Sequence, residues 1–447
     1  MSGDASLQAD LASVRRTPAA ADAPGPRAGL VRRIAGWGLV IFAALQALWF
    51  VRRYGVNVVY WDEWEWVRYL WTPIGPAHLW GQQNEHRIPV GAMVILGLHR
   101  LSGVDTRVGM YGSWVCLAMI VAILFIHFRR AQPGATALAF APVAVLVFTL
   151  RQYENLLWGF QITLTLGALF VVASLALLGA SRLRFAAALG CAAGASLCFA
   201  SGLIVWPAGL ARLLIGRWRD RTQSIAPAMI WTVAAGVMAW AYLHGWERGS
   251  HHPRAHLLQE PTRGAMFFVA SLGAPIALGT WTAVGAGAVV CVIAAFLIVQ
   301  CCRSSDGAEL FPMSLLVFTV VDSILLMIGR AGFGIPAAMA SRYVIFTVLG
   351  LVGIYLLLLR AAPRSQAGML ALGAMLGLIA AGTLASMRED RMNGVAIARE
   401  RQERARILRT FRSQPDDELT KLHPVPGVVR ERAEELEKRG WNVFRDR

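Results

Sequence analysis

Tyr60-Trp61-Asp62-Glu63-Trp64-Glu65-Trp66 sets three carboxylates among four aromatic rings, and Asn84-Glu85-His86-Arg87-Ile88-Pro89 follows in the same polar stretch with an acid, an imidazole and a guanidinium. A carboxylate in such a place can accept a proton from a substrate hydroxyl, while His86 and Arg87 can hold a phosphate. A plainer reading stands beside this one. Asp62 and Glu65 have the spacing of a helix N-cap and its partner, the tryptophans suit a membrane interface, and a lone histidine such as His86 is commonly a packing or capping residue.

The elements that must position these groups are membrane helices. The 447-residue chain is 56% hydrophobic and only 16% charged, with a mean hydropathy of +0.51, more apolar than a water-surrounded core requires. Runs at 34–51, 108–128 and 343–359 approach the roughly 20 residues that cross a bilayer core. The net charge of +16 comes from arginines at the ends of these runs, not from a basic face, which excludes nucleic acid as a partner. Cys116, Cys191, Cys198 and Cys291 lie inside apolar runs and Cys301-Cys302 ends one, so the six cysteines form neither a disulfide framework nor a zinc spacing.

Residues 1–33, rich in Ala, Pro and Arg, read as a disordered cytoplasmic tail. The first run ends in Trp49-Phe50-Val51-Arg52-Arg53, bulky where a signal peptide would carry a small-residue cleavage site, so it is a retained span. The positive-inside rule then puts 52–107 outside and predicts an all-α polytopic membrane domain over 34–386 with about eleven spans. Two of these are short helices joined near Ser201-Gly202, and 264–280, broken at Gly273-Ala274-Pro275, is a partly inserted external helix. The tail 387–447 falls outside, as two helices separated at Pro424, the second with an apolar stripe of Val428, Val429, Ala433 and Leu436 and a cap at Gly440. If 264–280 crosses fully, the count becomes twelve and the arginine-dense tail moves inside.

The order of motifs resembles the GT-C superfamily of polyprenyl-phosphate-sugar-dependent glycosyltransferases, in the branch of protein O-mannosyltransferases and the lipid A aminoarabinose transferase. Asp62-Glu63-Trp64 is similar to the acid pair that follows the first span in that branch. His86-Arg87-Ile88-Pro89-Val90 through Leu101-Ser102-Gly103 resembles its amphipathic helix, Arg107 its arginine before the second span, and Arg151-Gln152-Tyr153-Glu154-Asn155 its polar break before the fourth. The stretch 190–202, followed by Trp206-Pro207, resembles its Gly-rich hairpin and proline-bearing helix. The likeness covers 34–221; beyond that only hydropathy corresponds. One departure is that Ala200-Ser201-Gly202 stands where the family often has Thr-Lys, so a phosphate-binding lysine is missing and Arg87, Arg151 and Ser341-Arg342-Tyr343 become the candidate donor contacts.

The resemblance implies a GT-C-like bundle in the bacterial cytoplasmic (inner) membrane with its active site outside. A sugar on a polyprenyl phosphate would enter from the lipid, Asp62 would deprotonate an acceptor hydroxyl on a glycan, lipid or protein, and attack would invert the anomeric carbon. Arginines, with or without a divalent cation such as Mg or Mn, would steady the departing phosphate. Glu63 diverges from Asp62 by about 100° on a helix, so its role is support, as a hydrogen-bond partner or metal ligand. Glu85, His86, Arg87, Arg151, Glu154, Asn155, Arg342 and Tyr343 complete the expected substrate-binding set.

Gly329-Arg330 and Ser341-Arg342-Tyr343 bracket a loop with Gly332, Gly334 and Pro336 that suits either close approach of a ligand or simple snorkelling. Asp322 sits in an apolar run, where an acid serves function or an arginine pair. His251, His252 and His256 read as a solvated loop with metal binding as the alternative. A transporter or flippase of lipid-linked glycan, and a purely structural subunit, are the rivals to the enzyme. A transporter should show paired repeats, which are not visible, and no Gly-rich phosphate loop suggests a nucleotide donor.

Overall fold

A computed structural model of the chain describes residues 26–179, 181–247, 253 and 257–445. His251, His252 and His256 lie outside the described residues, as do positions 1–25. Eighteen helices carry the fold, and among the described residues no strand occurs; a single bridge joins Gln83 and His86.

In order these are α1 (Pro26–Tyr54), α2 (Glu63–Val67), α3 (Pro76–Trp80), α4 (Pro89–Ser102), α5 (Arg107–Ala131) and α6 (Ala137–Val147). Next come α7 (Tyr153–Leu157), α8 (Ile162–Leu177), α9 (Arg182–Ser196), α10 (Val205–Arg219), α11 (Ala226–Leu243) and α12 (Pro261–Gly273). The last six are α13 (Thr280–Arg303), α14 (Leu310–Arg330), α15 (Val344–Ala361), α16 (Gln366–Arg409), α17 (Asp416–Thr420) and α18 (Pro426–Lys438).

Among the described residues nine helices are long and apolar enough to cross a membrane. The chain is therefore an all-α polytopic membrane protein. α9 and α10, at 15 residues each, add a shorter hairpin. Its turn needs Gly202, because a Cβ there would lie 1.9 Å from the Ala195 carbonyl oxygen. α1 and α6 touch backbone to backbone at Gly36, where a Cβ would come within 2.1 Å of the Leu138 nitrogen. Residues 26–33, upstream of Ile34, belong to α1 and not to a disordered tail; the apolar run behind them carries the helix through Arg32-Arg33.

α15 is the hub, buried on nearly every side. α12 is 13 residues long, about 20 Å, too short for a bilayer core of roughly 30 Å, and it stops at Gly273 before a turn of 3-10 helix over Ala274–Ile276. α16 runs 44 residues, about 66 Å at 1.5 Å per residue, so its arginine-rich second half continues beyond any apolar layer.

That second half ends beside the segment 55–106. Val58, Trp64, Val67 and Leu70 from this segment form one apolar core with Leu408, Phe411, Leu419, Val429 and Leu436 from the C-terminal end. Val429, Ala433 and Leu436 are fully buried and Val428 partly, the stripe of α18 legible in the sequence. Gly440, with φ +61°, closes α18 in the left-handed conformation that glycine adopts without strain.

Candidate active site

Asp62 stands at the N-cap position of α2, yet its side chain makes no capping hydrogen bond. Its Oδ1 instead accepts from Asn84 Nδ2 at 3.3 Å, which ties the aromatic segment to the 83–86 turn. Both sides of this contact are backbone outliers: Trp61 has φ +46° and Asn84 φ +52°. A left-handed tryptophan is uncommon enough to demand surrounding structure that enforces it, and such strain gathers at functional sites. Burial raises the Asp62 pKa above its ordinary 3.8, while the Asn84 amide, the Arg342 charge and Gln83 pull it back.

Arg342 reaches Asp62's neighbourhood from the turn Ser341–Tyr343, before α15. Glu154 holds that turn: its Oε2 accepts from Ser341 Oγ (2.8 Å) and the Arg342 amide (3.2 Å), and its Oε1 faces Arg342 Nη1 at 3.4 Å. Asn155 donates to the Arg342 carbonyl at 3.1 Å, and the Arg342 guanidinium lies 5.3 Å from the Tyr343 ring centroid. The structure thus unites Asp62, Glu154, Asn155, Arg342 and Tyr343 from three distant parts of the sequence. Arg342 keeps 39% of its side chain exposed, so it can meet a ligand.

The other expected residues are placed differently. Arg87 donates from Nε to the Tyr242 carbonyl (2.8 Å), from Nη1 to Trp80 (2.7 Å) and from Nη2 to His244 (2.7 Å), and its amide donates to the Tyr242 hydroxyl (3.0 Å). It clamps the loop onto the end of α11, where carbonyls lack intrahelical partners. Arg151 is buried against Asp390 (3.1 Å) and Glu389 (3.3 Å) of α16. Glu85 pairs with Arg330 at 2.9 Å, and the His86 ring packs on Phe199 with centroids 4.0 Å apart.

Glu63 points inward. It is 1% exposed, its Oε2 accepts the Tyr60 amide (3.0 Å), and a Cβ on Gly159 would fall 2.9 Å from its Oε1. Burial pushes its pKa up to about 8 against the pull of the Tyr60 amide and Arg401. A protonated, enclosed carboxyl is a poor cation ligand. Among the described residues no group of three or more His, Cys, Asp or Glu side chains is placed to hold a metal ion.

The raised pKa has a measurable consequence. The folded chain holds this proton up to about pH 8, the unfolded chain only to about 4.5, so the stability Glu63 contributes is fully present below 4.5 and declines as pH rises to 8. Glu63→Gln should therefore flatten the fall in thermal unfolding midpoint across that window. An unchanged slope would show that Glu63 is ionised in the fold.

Residues that the sequence did not single out also converge here. The Arg401 guanidinium lies 3.1 Å and that of Arg404 4.5 Å from the Tyr60 ring centroid, and Trp158 packs on Tyr60 at 5.4 Å. Arg401 is 8% exposed, and its Nη1 is buried without a hydrogen-bond partner. Arginine density in 388–412 was the visible signal; which of those arginines turn back onto the loop was not. Comparison with known proteins adds no relative: no family model matches the chain, and neither a curated protein nor a solved structure does.

Proposed function

We propose that the protein is a membrane glycosyltransferase that moves a sugar from a polyprenyl-phosphate donor to an acceptor hydroxyl. The observation that carries this reading is the Asp62 carboxyl: it makes no capping bond, is held by an amide, has its pKa raised by burial, and feels the charge of the partly exposed Arg342. That is the arrangement of a general base facing an anionic leaving group.

In this mechanism Asp62 takes the acceptor's hydroxyl proton as its oxygen attacks the anomeric carbon. The bond from that carbon to the phosphate oxygen breaks on the opposite side, the phosphate leaves with the electron pair, and Arg342 offsets its charge. Glu154 and Asn155 fix the Arg342 turn, and Tyr343 supports its guanidinium. About eleven crossings, with Asp62 on the non-cytoplasmic side, suit a donor that arrives laterally through lipid; the arginines at the ends of the earlier spans support that orientation, and the arginine-rich second half of α16, which shares the Asp62 side, runs against it.

The test is to incubate the purified protein with labelled polyprenyl-phosphate sugars and membrane acceptors and to look for transferred label. Arg342→Gln should raise the donor KM by roughly 10–100-fold, the worth of a charged hydrogen bond, with the unfolding midpoint little changed. Unaltered donor use by this variant would remove Arg342 from the site. One observation favours a transporter instead: Asp322 is 2% exposed within α14 with one carboxyl oxygen lacking a hydrogen-bond partner. Label carried across sealed vesicles without transfer would decide for that reading.

A further inference from the structure

At the opposite end of the bundle, where α5 and α15 finish and α14 begins, lies a cavity of about 190 Å³. Arg130, Arg212, Arg360 and His127 line it together with the apolar Phe311 and Leu356, and none of its lining residues is acidic. The arginines are fixed unequally. Arg212 donates to the carbonyls of Leu175 (2.5 Å) and Leu178 (3.1 Å), and its guanidinium lies 5.7 Å from the Phe311 ring centroid. Arg360 donates to the Ala131 carbonyl (2.9 Å) and pairs with Asp306, while its Nε is buried without a hydrogen-bond partner. Arg130 is exposed. The His127 ring covers Phe311 with centroids 4.3 Å apart.

Three guanidiniums therefore surround one small space, and the nearby Asp306 carboxylate is shared between Arg360 and Arg364. Positive charge is in excess around the cavity, whose lining also includes the apolar side chains of Phe311 and Leu356. A free inorganic anion would satisfy the arginines and gain nothing from Phe311 and Leu356; an uncharged lipid would do the reverse.

We propose that this cavity binds the phosphate headgroup of an anionic membrane lipid, with the start of its acyl chain along Phe311 and Leu356. The site lies at the end of the bundle away from Asp62 and is independent of the transferase reading. Its arginines mark the leaflet that juxtamembrane basic residues prefer.

The full chain, purified in neutral detergent, would be titrated with phosphatidylglycerol, phosphatidylcholine or inorganic phosphate and read by native mass spectrometry. One phosphatidylglycerol should be retained, phosphatidylcholine at least about tenfold more weakly, and millimolar inorganic phosphate should not displace the lipid. Arg130→Gln, at an exposed position, should weaken retention about fivefold. Ala308→Trp, which fills the cavity, should abolish it. Displacement by inorganic phosphate, equal retention of both lipids, or retention unaffected by Arg130→Gln would each overturn the proposal.

Discussion

Asp62→Asn is expected to lower turnover by roughly 10²–10⁴-fold, the usual contribution of a positioned general base, with donor KM and protein level nearly unchanged. The amide keeps the size of the carboxyl and can still contact Asn84, but it cannot take a proton. Because α2 receives no capping bond from this side chain, the substitution removes no cap, and loss of rate cannot be ascribed to a frayed helix. The wild-type rate should also fall on the acid side with an apparent pKa above the ordinary 3.8, since burial raises the group and only its ionised form is a base. Full turnover by Asp62→Asn with an identified donor and acceptor would send the search for the base to Glu154 or Glu85.

Arg87→Ala should have the largest effect on folding. Three backbone carbonyls, of Trp80, Tyr242 and His244, lose their donor together; the buried one, of Tyr242, costs about 1–3 kcal/mol when left unpaired, and the other two, on exposed residues, cost less because water can reach them. The loop that carries Asn84 would then be held to the end of α11 only by the residue-87 amide on the Tyr242 hydroxyl and by the contacts of Gln82 and Glu85 with Glu247 and Trp246. Thermal unfolding in detergent should show a large drop in midpoint, which Arg87→Lys recovers in small part because an ammonium cannot reach three carbonyls as a planar fork does. A variant with wild-type stability that fails only to bind donor would restore Arg87 to the phosphate site that its position in the motif suggested.

The spans were the most legible part of the fold, because hydrocarbon thickness imposes a run length that can be counted locally. The same local logic exposed the break at Gly273, the stripe on α18 and the Gly440 cap. Partner choice was not local. Arg87, Arg151 and Glu85 each have the right chemistry for substrate, but their partners, Tyr242, Asp390 and Arg330, lie far along the chain. Residue type says that an arginine donates; it does not say to what. Asp62 was recognisable as an acid in a rich neighbourhood, whereas its release from capping depends on Asn84, an amide with no proton-transfer chemistry to draw notice. The dense C-terminal arginines bear in the sequence only on which side of the membrane the tail lies, and the structure uses two of them to cover Tyr60.

The apolar core shared by 55–106 and the C-terminal helices has a temporal side. Ribosomes deliver the first half of that core early and the second half only after the intervening spans, and Arg432 meets the Trp64 carbonyl across a sequence separation of 368 residues. Throughout synthesis Trp64, Val67 and Leu70 must wait uncovered while the intervening helices are inserted. Synthesis of α18 is thus the event that shuts this core, and a chain truncated before α18 should leave its Asp62 segment open to proteases and chaperones even with every span in place.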